Sequence, residues 1–156
     1  MSWEPGSERV RELIGTGEVA RVTPDLAIAR RMLEDAAHHL VTADQAKLTG
    51  DLSGAYQLAY DALRKSAASL LEAQGLRATS RGGHLAVQEV VTAQFGSTVR
   101  AYRSFGRIRR ARNSFEYPSS NSPGPDSGDI DDAIAVASQA HEAAMTILDQ
   151  DVLTRW

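Results

Sequence analysis

Apolar residues recur at intervals of three and four along most of this chain, which is the period of an amphipathic α-helix. Long stripes of this kind cover residues 24–47, 51–74, 98–117 and 129–152, and a shorter one covers 84–95. No segment alternates convincingly between apolar and polar residues, so the pattern predicts no strands. The predicted fold is all-α, an up-and-down bundle of four principal helices plus a short helix.

Residues that favour helix ends divide these stripes from one another. Thr23 followed by Pro24 is typical of an N-cap and a first helical position, and Asp51 opens the next stripe in the same way. Gly75 is a suitable C-terminal stop for that helix. Ser97, after Gly96, is the predicted cap of the helix that ends near residue 117.

Two segments fall outside the predicted bundle core. Residues 1–22 form an N-terminal appendage with a short helix from Ser7 to Ile14, and residues 23–156 form the bundle. Residues 118–128 contain three of the five prolines together with several serines and glycines, which predicts a flexible loop. In the helix that follows, the apolar stripe places His141, Met145 and Val152 on the inner face.

Composition narrows the class of protein. The chain of 156 residues has the length of one domain with a sizeable core. It has no cysteine, which excludes disulfides and thiolate metal sites. The opening residues lack the apolar region of a secretory signal, and no apolar run is long enough to span a membrane. We therefore expect a cytoplasmic protein that does not engage a membrane. Neither an HExxH motif nor another metal-ligand pattern is present, and we expect no metal and no cofactor.

Positive charge is concentrated in one place. The whole chain carries a formal charge of −3, but residues 97–117 contain six arginines and one acid and so carry +5. The remainder of the chain is therefore at −8. A polyanion would be drawn to this one stretch.

On a helix of 100° per residue, these six arginines separate into two faces. Four share an arc of roughly 80° that is typical of a solvated basic face: Arg100, Arg103, Arg107 and Arg110. The other charged residues fall on the apolar arc beside Phe105 and Ile108: Arg109, Arg112 and Glu116. Two interpretations stay open. These residues form an internal ion pair, or they line a cleft or subunit interface in which guanidinium groups hold phosphate.

The four histidines have different expected roles. His38 and His39 lie on the polar side or edge of their helix and are expected to be solvated. His84 begins a helix after two glycines, where a structural role and a role in a site are equally plausible. His141, within an apolar stripe, is expected to be a hydrogen-bonded core histidine.

The run from Arg112 to Tyr117, R-N-S-F-E-Y, resembles the R-N-x-x-x-H signature of HEPN domains, helical domains of prokaryotic toxin–antitoxin, defence and RNA-processing proteins. The resemblance extends over roughly residues 25–150. Residues 54–75 look like the second helix of that family. Arg77 and the segment 82–84 look like the following loop and the start of the third helix.

This resemblance implies a homodimer in which the motifs of both chains share a cleft. Active members of the family are metal-independent endoribonucleases. Their arginine stabilises the scissile phosphate, the next polar residue supports the site, and the histidine transfers protons. Carried over, Arg112 is the phosphate ligand, Asn113 its neighbour, and Tyr117 stands where the histidine is expected. A phenol with a pKa near 10 is a poor base at neutral pH.

Two functional hypotheses follow. The first is a toxin- or defence-type endoribonuclease with Arg112, Asn113 and Tyr117 as catalytic residues, and with Arg109 and Glu116 binding phosphate or orienting the site. The second is a non-catalytic module that uses the same cleft to bind RNA, a nucleotide or a partner protein such as a cognate antitoxin. The missing histidine favours the second hypothesis slightly.

Overall fold

The computed structural model describes residues 3–156, and most of them are helical. In chain order the elements are α1 (Ser7–Gly15), β1 (Val19–Arg21), α2 (Leu26–Leu48), α3 (Leu52–Gln74), β2 (Leu76–Ala78), α4 (Gly83–Phe95), α5 (Arg100–Glu116) and α6 (Ser127–Asp149). The predicted all-α bundle is confirmed: α2, α3, α5 and α6 are the four principal helices and α4 is the short one. Within residues 3–156 no helix is both long enough and apolar enough to cross a bilayer.

Helix α3 is the centre of the bundle. It packs most extensively on α2 and α6 and also contacts α4 and α5. Its apolar stripe is accordingly buried almost without interruption, and Tyr60, Leu63 and Leu70 are fully enclosed. A helix surrounded in this way is held in place by its packing, because a well-packed core tolerates little displacement.

The predicted ends of α3 are confirmed and the predicted start of α2 is wrong. The Asp51 carboxylate accepts a hydrogen bond from the backbone N–H of Gly54, and Gly75 ends the helix with a φ of 75°. At the start of α2 the N-cap is Asp25, whose carboxylate accepts from the N–H of Ile28, rather than Thr23. Threonine and aspartate are both common N-cap residues, but here Asp25 forms the capping hydrogen bond.

The prediction that the chain has no strands is wrong. β1 and β2 pair antiparallel, with Val19 opposite Ala78 and Arg21 opposite Leu76. Each strand has only three residues, which is too few for a period of two to be recognised in the sequence. This small sheet joins the segment before α2 to the connection between α3 and α4.

Other predicted positions also need correction. α5 is preceded by Val99 in an extended conformation, and Ser97 is not its cap. α6 begins at Ser127, inside the predicted loop, because Asp126 and Asp129 form a reciprocal capping box. Val152 lies beyond α6, and Met145 is exposed rather than on the inner face.

The described part of the predicted N-terminal appendage, residues 3–22, contacts the bundle; residues 1–2 lie outside the described residues. Val10 and Leu13 of α1 are fully buried, and the Trp3 ring packs 5.4 Å from that of Phe95. α1 therefore covers one side of α4.

Candidate functional site

The inward-facing arginines of α5 are each held by a glutamine from a neighbouring helix. Arg112 donates its Nε–H to Oε1 of Gln57 on α3, at 2.7 Å. Arg109, one turn earlier, donates its Nε–H to Oε1 of Gln88 on α4, also at 2.7 Å. Both arginines are half-buried. A neutral amide fixes the orientation of a guanidinium without cancelling its charge.

Arg112 also contacts the two motif residues that follow it on α5. Its Nη1 lies 2.7 Å from a carboxylate oxygen of Glu116 and donates to Oδ1 of Asn113 at 3.1 Å. Within residues 3–156 its Nη2 makes no hydrogen bond to protein. The Glu116 side chain is 42% exposed, so the expectation that it lies on a buried arc is wrong. The reason is that the last turn of α5 extends past the core, with Phe115 as its anchor against Tyr56.

A buried tyrosine lies beneath this arginine. The guanidinium carbon of Arg112 is 5.3 Å from the centre of the Tyr60 ring, within the range of a cation–π contact. Burial raises the pKa of the Tyr60 phenol, while Arg64, Arg112 and Arg109 act in the opposite direction. The phenol is therefore a neutral hydroxyl at physiological pH.

His84, at the start of α4, is bonded to that hydroxyl. Its Nδ1 lies 2.9 Å from Oη of Tyr60. Burial is the main cause that lowers the pKa of His84, and the nearby cations Arg64 and Arg112 lower it further. The imidazole is therefore neutral at pH 7.

Arg64 of α3 is a third arginine whose charge acts on Tyr60 and His84. Its closest carboxylate is that of Asp61, at 3.7 Å, and its buried Nε has no hydrogen-bond partner in the part of the chain that the structure describes. Arg64 and His84 line a cavity of about 260 Å³ between α3, β2 and α4. A second cavity, of about 380 Å³, adjoins Arg112 at the ends of α3 and α5. We call Arg64, Arg109 and Arg112, the three arginines whose charges act on both Tyr60 and His84, the arginine cluster.

The predicted site residues are only partly brought together. Arg112 contacts both Asn113 and Glu116, and Arg109 lies one turn back, bonded to Gln88. Tyr117, by contrast, ends α5 and its ring is 75% exposed. Sequence reasoning missed the residues that α3 and α4 contribute: Gln57, Tyr60, Arg64 and Gln88. For His84 the sequence left a structural role and a role in a site open, and it did not predict the bond to Tyr60.

The remaining predicted charges and histidines behave largely as expected. The outer arginines of α5 are exposed, although Arg107 forms a two-pronged ion pair with Asp132 of α6. His141 is half-buried, and its Nε2 is 2.9 Å from the backbone oxygen of Leu33. Among residues 3–156, His, Asp and Glu side chains form no group of three or more that could ligate a metal.

No protein-family model, curated protein or solved structure matches this chain. The chemistry of the residues themselves therefore has to support any functional interpretation. Planar guanidinium groups with free terminal nitrogens bind phosphate or carboxylate oxygens bidentately. A neutral imidazole beside them can accept a proton.

Proposed function

We propose that this protein binds RNA or a nucleotide phosphate at the arginine cluster. The observation that supports this most strongly is the pair of glutamine contacts, Gln57 to Arg112 and Gln88 to Arg109. Each contact uses the Nε–H, and within residues 3–156 both terminal nitrogens of Arg109 and Nη2 of Arg112 make no hydrogen bond to protein. Such an arrangement preorganises a guanidinium for a ligand, because its rotamer is already fixed before the ligand arrives.

The charge balance of the cluster favours an anionic ligand. Its three guanidinium groups face two carboxylates, those of Asp61 and Glu116, and the neutral His84 adds no charge. Arg109 has no carboxylate partner within residues 3–156. Phosphate meets this pattern well, since it is a compact anion with several acceptor oxygens.

A purely structural role accounts for less of this geometry. The Arg112–Glu116 pair is partly exposed, and such ion pairs contribute only about 0–1 kcal/mol to stability. A purely structural role does not explain why Arg109, which has no carboxylate partner within residues 3–156, is bonded to the amide of Gln88. Nor does a structural role explain why the buried Nε of Arg64 has no hydrogen-bond partner in the described chain.

Because Tyr117 stands at the histidine position of the motif, the motif residues are better suited to binding than to catalysis. Its exposed ring lies at the C-cap of α5, and a phenol is a poor proton acceptor at neutral pH. On the motif residues alone, the non-catalytic alternative is therefore the better supported of the two sequence-based hypotheses. The resemblance to HEPN domains, the homodimer, the cytoplasmic location and a cognate antitoxin or partner protein stay predictions from the sequence.

Comparing the RNA affinities of two variants that each lose one positive charge tests this proposal. A labelled single-stranded RNA is titrated with wild-type protein, with Arg112→Gln and with Arg110→Gln, and binding is followed by fluorescence anisotropy. Arg112→Gln is expected to raise Kd by about 10- to 100-fold, because a charge-assisted hydrogen bond contributes about 1.5–3 kcal/mol. Arg110 is exposed on the outer face two residues away, so its variant controls for the loss of one positive charge.

Equal loss of affinity in the two variants would show attraction to the basic stretch as a whole and would contradict the proposed site. Absence of binding by the wild-type protein would contradict the function itself. Circular dichroism checks that each variant remains folded.

A glycine in α5 provides a second, independent test. A Cβ at Gly106 would lie 2.7 Å from Nε2 of Gln88, which is closer than such atoms approach. The amide is at the end of a flexible side chain and can move, but its bond to Arg109 moves with it. We expect Gly106→Ala to weaken RNA binding severalfold. Its Tm should be unchanged or higher, since alanine favours a helix over glycine by about 1 kcal/mol.

Gly15→Ala in α1 is the matched control, because a Cβ there meets no atom within 4 Å. Its RNA affinity should equal that of the wild type. Unchanged affinity in Gly106→Ala would mean that Gln88 does not position Arg109 for the ligand.

A further inference from the structure

We propose that the cavity between α3, β2 and α4 binds a small monocarboxylate with an apolar body, and that Arg64 and His84 hold its carboxylate group. This cavity has a volume of about 260 Å³. Arg109 and Arg112 are not among the residues that line it, and Arg112 lines the separate cavity at the ends of α3 and α5. The ligand is therefore distinct from RNA, and its binding does not depend on the function proposed above.

Most of the wall of this cavity is apolar. Six apolar side chains from α2, α3, β2 and α4 form it: Met32, Ala68, Leu71, Leu76, Ala78 and Val87. Such a surface favours the hydrocarbon part of a ligand, because contact between the two removes apolar area from water. At a volume of about 30 Å³ for each water-sized group, the cavity holds a ligand of roughly ten non-hydrogen atoms.

Arg64 provides a positive charge at this cavity. Its closest carboxylate is that of Asp61, which is 3.7 Å from Nη2, beyond hydrogen-bonding distance, and does not line the cavity. The Nε of Arg64 is buried without a partner, and within residues 3–156 its terminal nitrogens make no hydrogen bond to protein. A guanidinium of this kind is suited to a carboxylate, because two parallel N–H groups match the two carboxylate oxygens.

His84 supplies a second donor at the same cavity. Tyr60 is fully buried, and within residues 3–156 the acceptor for its hydroxyl hydrogen is Nδ1 of His84, 2.9 Å from Oη. Because Nδ1 accepts this bond, the proton of the neutral imidazole is on Nε2. His84 is exposed and lies in the first turn of α4, so its Nε2–H can donate to a ligand at a position where the helix dipole also favours an anion.

The other polar side chains of the cavity are already paired. Glu72 accepts two hydrogen bonds from Arg77, and the Thr79 hydroxyl donates to backbone oxygens of the segment before β1. The charges of Glu72 and Arg77 cancel and the imidazole is neutral, so Arg64 leaves the lining with a formal charge of +1. A ligand with one negative charge matches this balance. A dianion such as a phosphate monoester would leave an excess negative charge in a partly buried site, which is unfavourable.

Titration with octanoate tests this proposal, with 1-octanol and octyl phosphate as comparison ligands of the same chain length. Binding is measured by isothermal titration calorimetry at about pH 8, where a phosphate monoester with a second pKa near 6 is a dianion. We expect octanoate to bind with a Kd of about 10–500 μM, which is ordinary for a ligand of this size. The neutral alcohol and the dianion should each bind at least about tenfold more weakly, because neither matches both the donors and the charge of the cavity.

Two variants of the cavity, each with a matched control, show whether octanoate binds there. Arg64→Met removes the charge and should raise the Kd of octanoate by about 10- to 100-fold, because charge-assisted hydrogen bonds are lost. Its control is Arg30→Met, since Arg30 lines a different apolar cavity between α2 and α6. Ala68→Leu fills the proposed cavity while keeping every charge and should raise Kd at least about tenfold. Its control is Ala135→Leu, at an exposed position of α6, which should leave Kd unchanged.

Equal affinities of Arg64→Met and Arg30→Met for octanoate, or wild-type affinity in Ala68→Leu, would overturn the proposal. Absence of octanoate binding by the wild type up to about 10 mM, or binding of 1-octanol as tight as that of octanoate, would also overturn it. Circular dichroism checks the fold of each variant, and Ala68→Leu decides the matter if Arg64→Met does not fold. RNA binding is tested separately with Arg112→Gln and Arg110→Gln, so either proposal can fail while the other stands.

Discussion

Replacing Tyr102 with alanine is expected to lower the free energy of unfolding by about 3–5 kcal/mol, the usual cost of removing a buried aromatic side chain. Tyr102 is fully buried between α5 and its neighbours, and its hydroxyl donates to the backbone oxygen of Ala140 on α6 at 3.0 Å. Burial raises the pKa of this phenol, so it stays a neutral donor. Because domains of this size are stable by only about 5–15 kcal/mol, the loss would be large.

Urea denaturation followed by circular dichroism measures this loss. Tyr117→Ala is the matched control, since it removes the same side chain from the exposed end of α5 and should change stability by less than about 0.5 kcal/mol. A Tyr102→Ala variant as stable as this control would show that α5 does not pack on α6 as described. The positions of the cluster arginines would then also be in question.

Replacing Arg77 with alanine is expected to cost about 2 kcal/mol, the second-largest loss of stability that we predict. Arg77 of β2 donates two hydrogen bonds to the Glu72 carboxylate, at 2.8 and 3.3 Å. The Glu72 side chain is only 3% exposed whereas that of Arg77 is 56% exposed. Removing the arginine therefore leaves a buried carboxylate without its cation, which is more costly than the loss of an exposed pair.

Arg21→Ala provides the comparison for Arg77→Ala. Arg21 is an exposed arginine of the paired strand and has no ion pair within residues 3–156, so its loss should change the unfolding free energy by less than about 0.5 kcal/mol. When Glu72→Gln is added to Arg77→Ala, the double variant should recover part of the lost stability, because an amide is buried at lower cost than a charge. Equal stability of the two arginine variants would contradict the importance of the Glu72–Arg77 pair.

Local signals were sufficient to predict the helices. The three- and four-residue period gave the four principal helices, and Asp51 and Gly75 marked the ends of α3 correctly. The strands were missed because three residues are too few for a pattern. α5 begins at Arg100, directly after Val99 in an extended conformation, and Ser97 is not its cap.

The candidate site was only half predictable for a physical reason. The helical period alone predicted that Arg109 and Arg112 face inward, and both are half-buried. Their partners come from other helices, with Gln57 separated from Arg112 by 55 positions and His84 from Tyr60 by 24. Such contacts depend on how the helices pack, and no local pattern encodes them.

The salt dependence of RNA affinity tests the central claim most directly. Each phosphate contact with single-stranded RNA adds about 0.7 to the slope of log K against log salt concentration. From about 50 to 200 mM salt, Arg112→Gln should have a slope shallower than wild type by about 0.7, whereas Arg110→Gln should have the wild-type slope. Equal slopes for wild type and Arg112→Gln would contradict a phosphate contact at Arg112.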